Sequence, residues 1–378
     1  MADHSHIEWT DATWNPIVGC SITSPGCTNC YAMAMARRIE AMQPGSHYAG
    51  TTQVVKGNPV WTGRTVLAPE HTLFQPLRWK RGRTIFVNSM GDLFHEDVPD
   101  EWIDRIFAVM CSADWHTYQV LTKRSARMLA YMTAPGLTDR IADAQHDMGL
   151  EMHASIPAPN IWLGVSTEDQ RRADERVPDL LATPAALHFI SAEPMLGPIH
   201  FDRIEESADT FADCGGHPDP HWPRDTQDWH WLDALSGRCE AEARAPDGTR
   251  RGDIDVGLKW TGGKIAWIIA GGESGPNARP MHRDWVRSIR DQCAAASVPF
   301  FFKQWGAYRR VDGFHIAATA ETVPGALVPS GKAFLAVDRI DDGAAVGVVL
   351  RRAHKKAAGR LLDGREHNEL PIQPRRAS

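Results

Sequence analysis

Residues 84–122 read TIFVNSMGDLFHEDVPDEWIDRIFAVMCSADWHTYQVLT. An apolar run (84–89), a segment with helical spacing (100–113) and a second apolar run (118–122) follow one another, which predicts a βαβ unit. Both runs are apolar on both faces rather than alternating, so their strands belong in a parallel sheet covered by helices. The signature recurs outward from this stretch: apolar runs lie at 161–166 (IWLGVS), 187–191 (LHFIS), 266–271 (AWIIAG) and 300–303, with helical spacing at 125–132 and 283–296. A strand within 13–18 would complete six or seven βα units. The expected fold class is α/β, a partial or full parallel (β/α) barrel, with a doubly wound open sheet as the alternative.

The strand starts at 84, 118, 161 and 187 are spaced for one strand-helix unit each, but the next start comes only at 266. The excess marks an insertion, 201–264, rich in Asp, Gly, Pro, His and Trp and poor in periodic apolar pattern. The barrel is therefore expected from 1–200 and 265–310. Beyond it, 311–378 changes to short Gly-punctuated runs, which predict a small β-rich appendage. Its tail, 354–371, reads as a short basic helix ended by Asp363-Gly364.

A chain of 378 residues with 43% hydrophobic and 23% charged residues can bury a full core. Disorder and a disulfide-stapled miniprotein are thereby excluded. The net charge of -6 excludes a general electrostatic grip on nucleic acid, though not a local basic groove. No stretch reaches the 18 apolar residues of a membrane span, and the opening MADHSHIEWTD is acidic rather than leader-like, so no membrane association and a cytoplasmic location are expected. Nothing in composition or pattern sets the oligomeric state.

Seven cysteines, an odd number, fit a reducing compartment. Three of them, Cys20, Cys27 and Cys30, fall in GCSITSPGCTNCYA, a C-x6-C-x2-C loop rich in Gly and Pro that precedes a helix starting near Tyr31. Three thiolates on such a loop can wrap one metal centre, and the close Cys27/Cys30 pair is the chelating half. No fourth cysteine or histidine follows at finger-like distance, which favours an iron-sulfur cluster with one open iron over closed structural zinc. Buried free thiols, or zinc completed by His4 or His6, are the alternatives.

The loop follows the first strand, at the C-terminal rim where parallel barrels build their sites. Other strand ends bring polar residues to a rim: Asn88, Ser89, Asp92 and Glu96; Thr122 and Lys123; Ser166, Thr167 and Glu168; Ser191 and Glu193; and Gly271, Gly272, Glu273 and Ser274. For any one of them a helix cap is the bland explanation. Within the insertion, Cys214, His217, His221, His230 and Cys239 could form a small zinc site, with poorly spaced second-half ligands. Trp222, Trp229 and Trp231 there are candidates for contacting a base or a partner.

With these motifs in hand, the chain resembles the radical SAM superfamily, whose three-cysteine loop holds a 4Fe-4S cluster and whose strand ends hold S-adenosylmethionine. More closely, IEWTDATWNPIVGC, GCTNCYA, NSMGDLFHED, LTKRSARM, ISAEPMLGPI, GGESGPNARPMH, FFKQWG and KKAAGRLLDGR are similar to an uncharacterised, often phage-encoded family of three-Cys-motif proteins, a domain of unknown function. The commonest superfamily loop has three residues in its first gap and an aromatic before its last cysteine; here the gap holds six and Asn29 takes that place. SMGDLFHE and LTKRS are also similar to strand-end motifs of spore-photoproduct-lyase-like members, which implies a nucleic-acid substrate.

The resemblance implies an iron-sulfur, S-adenosylmethionine-dependent enzyme that repairs or modifies a nucleic acid or nucleotide-like substrate. Ser89 and Asp92 would lie near the cofactor's ammonium, Ser166 and Glu168 near its ribose or carboxylate, and Gly271, Gly272 and Glu273 near its adenine. Lys123, Arg124, Arg279 and His282 would meet substrate at the barrel mouth. Two further readings stand beside it: a non-catalytic, metal-stapled protein binding nucleic acid or a partner protein, and a metal-dependent nuclease or hydrolase using Asp92, Glu96, Glu168 and Glu193.

Overall fold

The computed structural model describes residues 5, 7–205, 227–244, 250–254, 262–317, 323–330, 333–341 and 344–372. Its central sheet has seven strands: β1 (Ala12–Trp14), β2 (Thr84–Val87), β3 (Thr117–Thr122), β4 (Ile161–Ser166), β5 (His188–Ala192), β6 (Ile265–Gly271) and β7 (Phe300–Gln304). Strand order in the sheet is the chain order. Pairing is parallel between β1 and β2, β2 and β3, β3 and β4, β4 and β5, and β6 and β7. That progression is the pattern of a half barrel; a doubly wound sheet reverses at a switch point, and this one does not.

Burial explains why the strands were legible. All six residues of β4 and all five of β5 are buried, as expected of parallel strands covered on both faces. Register places Phe86, Gln119 and Trp162 side by side on one face, and Ile85, Tyr118 and Ile161 on the other. Gly164 in β4 is required by packing: a Cβ there would meet the Phe189 ring at 2.7 Å.

The helices connecting these strands are α1 (Tyr31–Met42), α2 (Asp100–Ser112), α3 (Ser125–Met132), α4 (Leu137–Asp147), α5 (Gln170–Ala182) and α6 (Arg283–Ala296). In α2 the buried Ile103, Ile106, Phe107 and Met110 follow helical spacing, and Asp100 and Glu101 occupy the first turn, where the helix dipole favours acid.

The chain divides into two compact units. One is built on residues up to Ser166 together with Thr183–Ser191, the other on Thr167–Ala182 and Ala192–Pro371. The first contains β1 to β4, most of β5 and the cysteine loop.

The second contains β6 and β7 and two antiparallel sheets. One joins Ile204–Glu205, Gln227–Asp233, Arg238–Arg244 and Arg250–Ile254, so the described part of the insertion forms a sheet. The other joins Tyr308–Ala317, Ala344–Arg352, Ala333–Asp341 and Leu327–Ser330, the expected β-rich appendage. The basic tail helix is shorter than expected: it spans Lys355–Ala358 and stops at Gly359, whose φ of 78° ends it. Asp363 instead forms ion pairs with Arg287 and Arg290 of α6. Among the described residues, no helix is long and apolar enough to cross a membrane.

Candidate metal centre

Cys20 leaves the end of β1 through Gly19, whose φ of +91° and close approach to the Arg64 carbonyl (2.0 Å from a built Cβ) admit no side chain. Gly19 forms an isolated parallel bridge with Gly91 of the SMGD loop, and its amide donates to the Met90 carbonyl at 3.1 Å. Asn15 locks the same two segments, accepting from Ser89 Oγ (3.1 Å) and the Met90 amide (3.0 Å). A 3-10 turn, Pro25–Cys27, then brings Cys27 back, and Cys30 is the N-cap of α1. The loop is thus braced by backbone bonds that do not involve its thiols.

The three thiols differ electrostatically. Burial pushes Cys20 up to about 12, with Asp92 adding to the rise and Arg124 opposing it. Burial also raises Cys30, against the amides of Ala32 and Met33 at the start of α1. For Cys27, burial raises the thiol, but the Lys123 charge and hydrogen bonds from Thr23 and Ser24 outweigh it, and the net shift is downward. A charge on Cys27 raises both Cys20 and Cys30, so the three form one electrostatic group. Burial and this mutual repulsion keep Cys20 and Cys30 protonated, and binding a metal centre would have to release those protons.

Its dimensions bear on which centre. Among the described residues, the trio of ligating side chains whose donor atoms all lie within 4.8 Å of one another is His282, Asp284 and Asp338, not the cysteines. Tetrahedral zinc with ~2.3 Å bonds to sulfur needs sulfurs about 3.8 Å apart. An iron-sulfur cluster attaches each cysteine to a different iron and suits a wider triad. Either centre would draw on the same three sulfurs. His4 and His6 lie outside the described residues, as do Cys214, His217, His221 and Trp222 of the insertion. Strand register sets His230 and Trp229 opposite Ala241 and Glu242, and Cys239 opposite Leu232.

Beside the loop, Arg124 is 7% exposed and its guanidinium is held on every side. Nε reaches both oxygens of Glu96 (3.0 and 2.9 Å), Nη2 donates to Ser21 Oγ (2.6 Å), and Nη1 donates to Asp92 Oδ2 (2.9 Å) with Cys20 Sγ at 3.6 Å. Asp92 in turn accepts from the Phe94 and Lys123 amides and from Thr122 Oγ1. With Arg124 these fill its four acceptor positions. His95 completes the ring: Nδ1 accepts from the Asp97 amide, so Nε2 carries the proton and donates to Ser21 Oγ at 3.0 Å. Burial lowers its pKa, consistent with a neutral ring.

Several expected roles move accordingly. Asp92, expected near a cofactor ammonium, has its four acceptor positions taken within the protein and positions Arg124. Arg124, expected at substrate, faces the cysteine loop. Ser89 donates to Asn15. Lys123 stays at the loop, where its charge acts on Cys27. Ser166 and Ser191 lie in register at the ends of β4 and β5.

In the second unit, Glu168 is fully buried against Arg176 (3.0 Å), and Glu273 takes the Arg279 amide and guanidinium (2.6 to 2.8 Å). Glu193 pairs with Lys303 at 3.3 Å, and its carboxylate presses on Gly271, where a Cβ would sit 2.4 Å from Oε1. The Gly272 amide and carbonyl are both bonded to Gln304, so they bind the chain itself. His282 is 0% exposed: Nδ1 accepts from the Asp284 amide as an N-cap to α6, and Nε2 donates to the Val337 carbonyl. His282 is thus an internal brace at the start of α6, and Arg279, its side chain 34% exposed, is held by Glu273. Trp231 is buried beneath the Arg203 guanidinium, 4.2 Å from its centroid, which removes it as a stacking platform.

Asn15, Ser21 and His95 were not anticipated. Asn15 and Ser21 flank the Gly-Cys pair and His95 follows the SMGD motif, but nothing in their spacing marks the partners they find. A cavity of about 660 Å³ also opens in the first unit, lined by Arg83, Cys111, Trp115, His116 and Trp162 among others. Both His116 nitrogens and the Trp115 N–H are bonded within the protein, and burial pushes Cys111 up to about 11, so these groups do not converge on a ligand.

A family model described as a protein of unknown function (DUF5131) matches residues 4–371. The chain belongs to that family. Comparison with curated proteins and with solved structures gave no match. The DUF5131 match spans both units and includes the cysteine loop, so the braced triad lies within the family's domain.

Proposed function

We propose that this protein is an iron-sulfur, S-adenosylmethionine-dependent radical enzyme acting on a nucleic acid or nucleotide-like substrate. One observation carries the reading: three electrostatically linked thiols sit on a braced loop after β1, beside a buried cation, where parallel half barrels place their chemistry. Bound there, a 4Fe-4S cluster with one iron not held by cysteine would supply an electron and an open coordination position for S-adenosylmethionine.

The chain's own residues divide the remaining work. Cys20, Cys27 and Cys30 would hold the cluster, and Cys27, whose thiol is lowered, is the most readily deprotonated of the three. The N-terminus of α1 at Cys30 favours the negative charge of a thiolate-bound centre. Ser166, in register with Ser191 at the strand ends of β4 and β5, would help orient a bound cofactor. The nucleic-acid substrate rests on the resemblance to spore-photoproduct-lyase-like motifs, with Lys123 as the basic residue at the loop. A hydrolytic metal site on Asp92, Glu96, Glu168 and Glu193 is less well supported, because each is engaged by a cation of the chain.

The test is anaerobic reconstitution with iron and sulfide, followed by electron paramagnetic resonance of the reduced protein with and without S-adenosylmethionine, and assay for 5'-deoxyadenosine. The expected result is a cluster signal that changes when the cofactor is added, with 5'-deoxyadenosine released. Zinc in the anaerobically purified protein, with no cluster formed on reconstitution, would replace this reading with that of a metal-stapled binding protein.

A further inference from the structure

We infer that Arg124 tunes the reduction potential of the centre held by Cys20, Cys27 and Cys30, as a cationic hydrogen-bond donor to the Cys20 sulfur. The inference rests on the iron-sulfur reading above and adds a role to a residue whose sequence context suggested phosphate binding.

The geometry is specific. Arg124 Nη1 lies 3.6 Å from Cys20 Sγ, within reach of a hydrogen bond to sulfur, and its other donors are fixed by Asp92, Glu96 and Ser21. A surface arginine would swing freely. This one is 7% exposed and cannot leave without stranding Asp92, which is itself 6% exposed. The clamp therefore resembles a device for holding one N–H against one sulfur more than a reservoir of substrate-binding charge. Glu96 is the outer part of the clamp, with its side chain 61% exposed, whereas Asp92 and Arg124 are the inner part.

The effect on redox chemistry has a definite sign. Adding an electron to an iron-sulfur centre increases its negative charge, and a hydrogen bond to a ligand sulfur stabilises the more negative form. A full positive charge on the donor strengthens that preference, and burial limits its screening. Arg124 should therefore make the centre easier to reduce. Lysine at this position would retain charge but lack the planar fork that satisfies Asp92, Glu96 and Ser21 together, so it would restore only part of the effect.

The experiment compares the full-length wild type with R124Q, R124K and S21A after anaerobic reconstitution. Iron and sulfide are counted first, and the midpoint of the reconstituted centre is then measured by a redox titration followed by electron paramagnetic resonance. R124Q should shift the one-electron equilibrium at least tenfold toward the oxidised form, about 59 mV more negative. R124K should fall between R124Q and wild type, and S21A, which releases Arg124 Nη2 and His95 Nε2 but leaves Nη1 at Cys20, should shift least. A fully loaded R124Q with the wild-type midpoint overturns the inference. Should R124Q fail to load, R124K and S21A decide it on the same titration, and midpoints within threefold of wild type in both overturn it. Failure of the wild type itself to form a cluster refutes the underlying iron-sulfur reading, and is recognisable because it precedes any comparison of variants.

Discussion

The strand-end residues of the two units look alike in sequence and differ in what they face. In the first unit, Asp92 and Glu96 hold Arg124 against a cysteine loop, so the ion pair ends on a sulfur. In the second, Glu168, Glu193 and Glu273 are taken by Arg176, Lys303 and Arg279, with no thiol among the contacts described. A carboxylate after a strand is thus not a functional signal by itself. What distinguishes the first unit is the group at the far end of its charge pair.

The strongest way to break that contrast is to remove the sulfurs. Changing Cys20, Cys27 and Cys30 together to alanine should abolish iron and sulfide binding on reconstitution, while circular dichroism stays at the wild-type signal because the loop is braced by Gly19 and Asn15. Retained iron at wild-type stoichiometry would place the centre elsewhere.

Next come the buried pairs. Asp92→Ala takes the buried carboxylate from Arg124 and leaves it the exposed Glu96, and Glu168→Ala takes the buried carboxylate from Arg176; each should lose about 3 to 5 kcal/mol of stability in urea unfolding. The two should then part: Asp92→Ala should also alter the metal centre's spectrum, whereas Glu168→Ala should leave it unchanged. Equal effects on the spectrum would erase the distinction drawn between the units.

Gly19→Ala should cost about 1 to 3 kcal/mol through its positive φ alone, and more through contact with the Arg64 carbonyl. It should also lower cluster loading, since the bridge to Gly91 carries the start of the loop. A variant with full stability would show that the loop is less tightly braced than the geometry indicates.

The smallest effect concerns pH in the second unit. Burial lowers the pKa of His282, so the folded state disfavours its charged form. As pH falls through about 6.5, the unfolded chain takes up the proton more readily, and stability should decline by at most the slope of one proton. His282→Asn keeps a capping side chain and should flatten that part of the profile. An unchanged slope between pH 7 and 5 would assign it to other groups.

Much of the fold was legible because parallel strands buried on both faces announce themselves: TIFV, YQVL and IWLGVS are predominantly apolar on both faces. The cysteine loop was legible from its spacing and its Gly and Pro residues. The fate of the rim charges was not, because it depends on partners far along the chain. Arg124 meets Cys20 across 104 residues and Asp92 across 32. Its local context, LTKRSARM, reads equally well as a basic patch. The strands of the insertion, QDWHWLD, RCEAEAR and RRGDI, were not legible because they carry few apolar residues. His282 shows the same limit, as a histidine after a Gly-rich turn that proves to cap a helix.

The bridge between Gly19 and Gly91 has a consequence for assembly. A zinc finger spends its metal affinity on folding, because its ligands are scattered until the ion gathers them. Here backbone contacts gather the loop by themselves, so a chelator should strip the centre and leave a folded apoprotein ready to be refilled. The free energy of metal binding would then go into retention of the centre instead of into organising the chain.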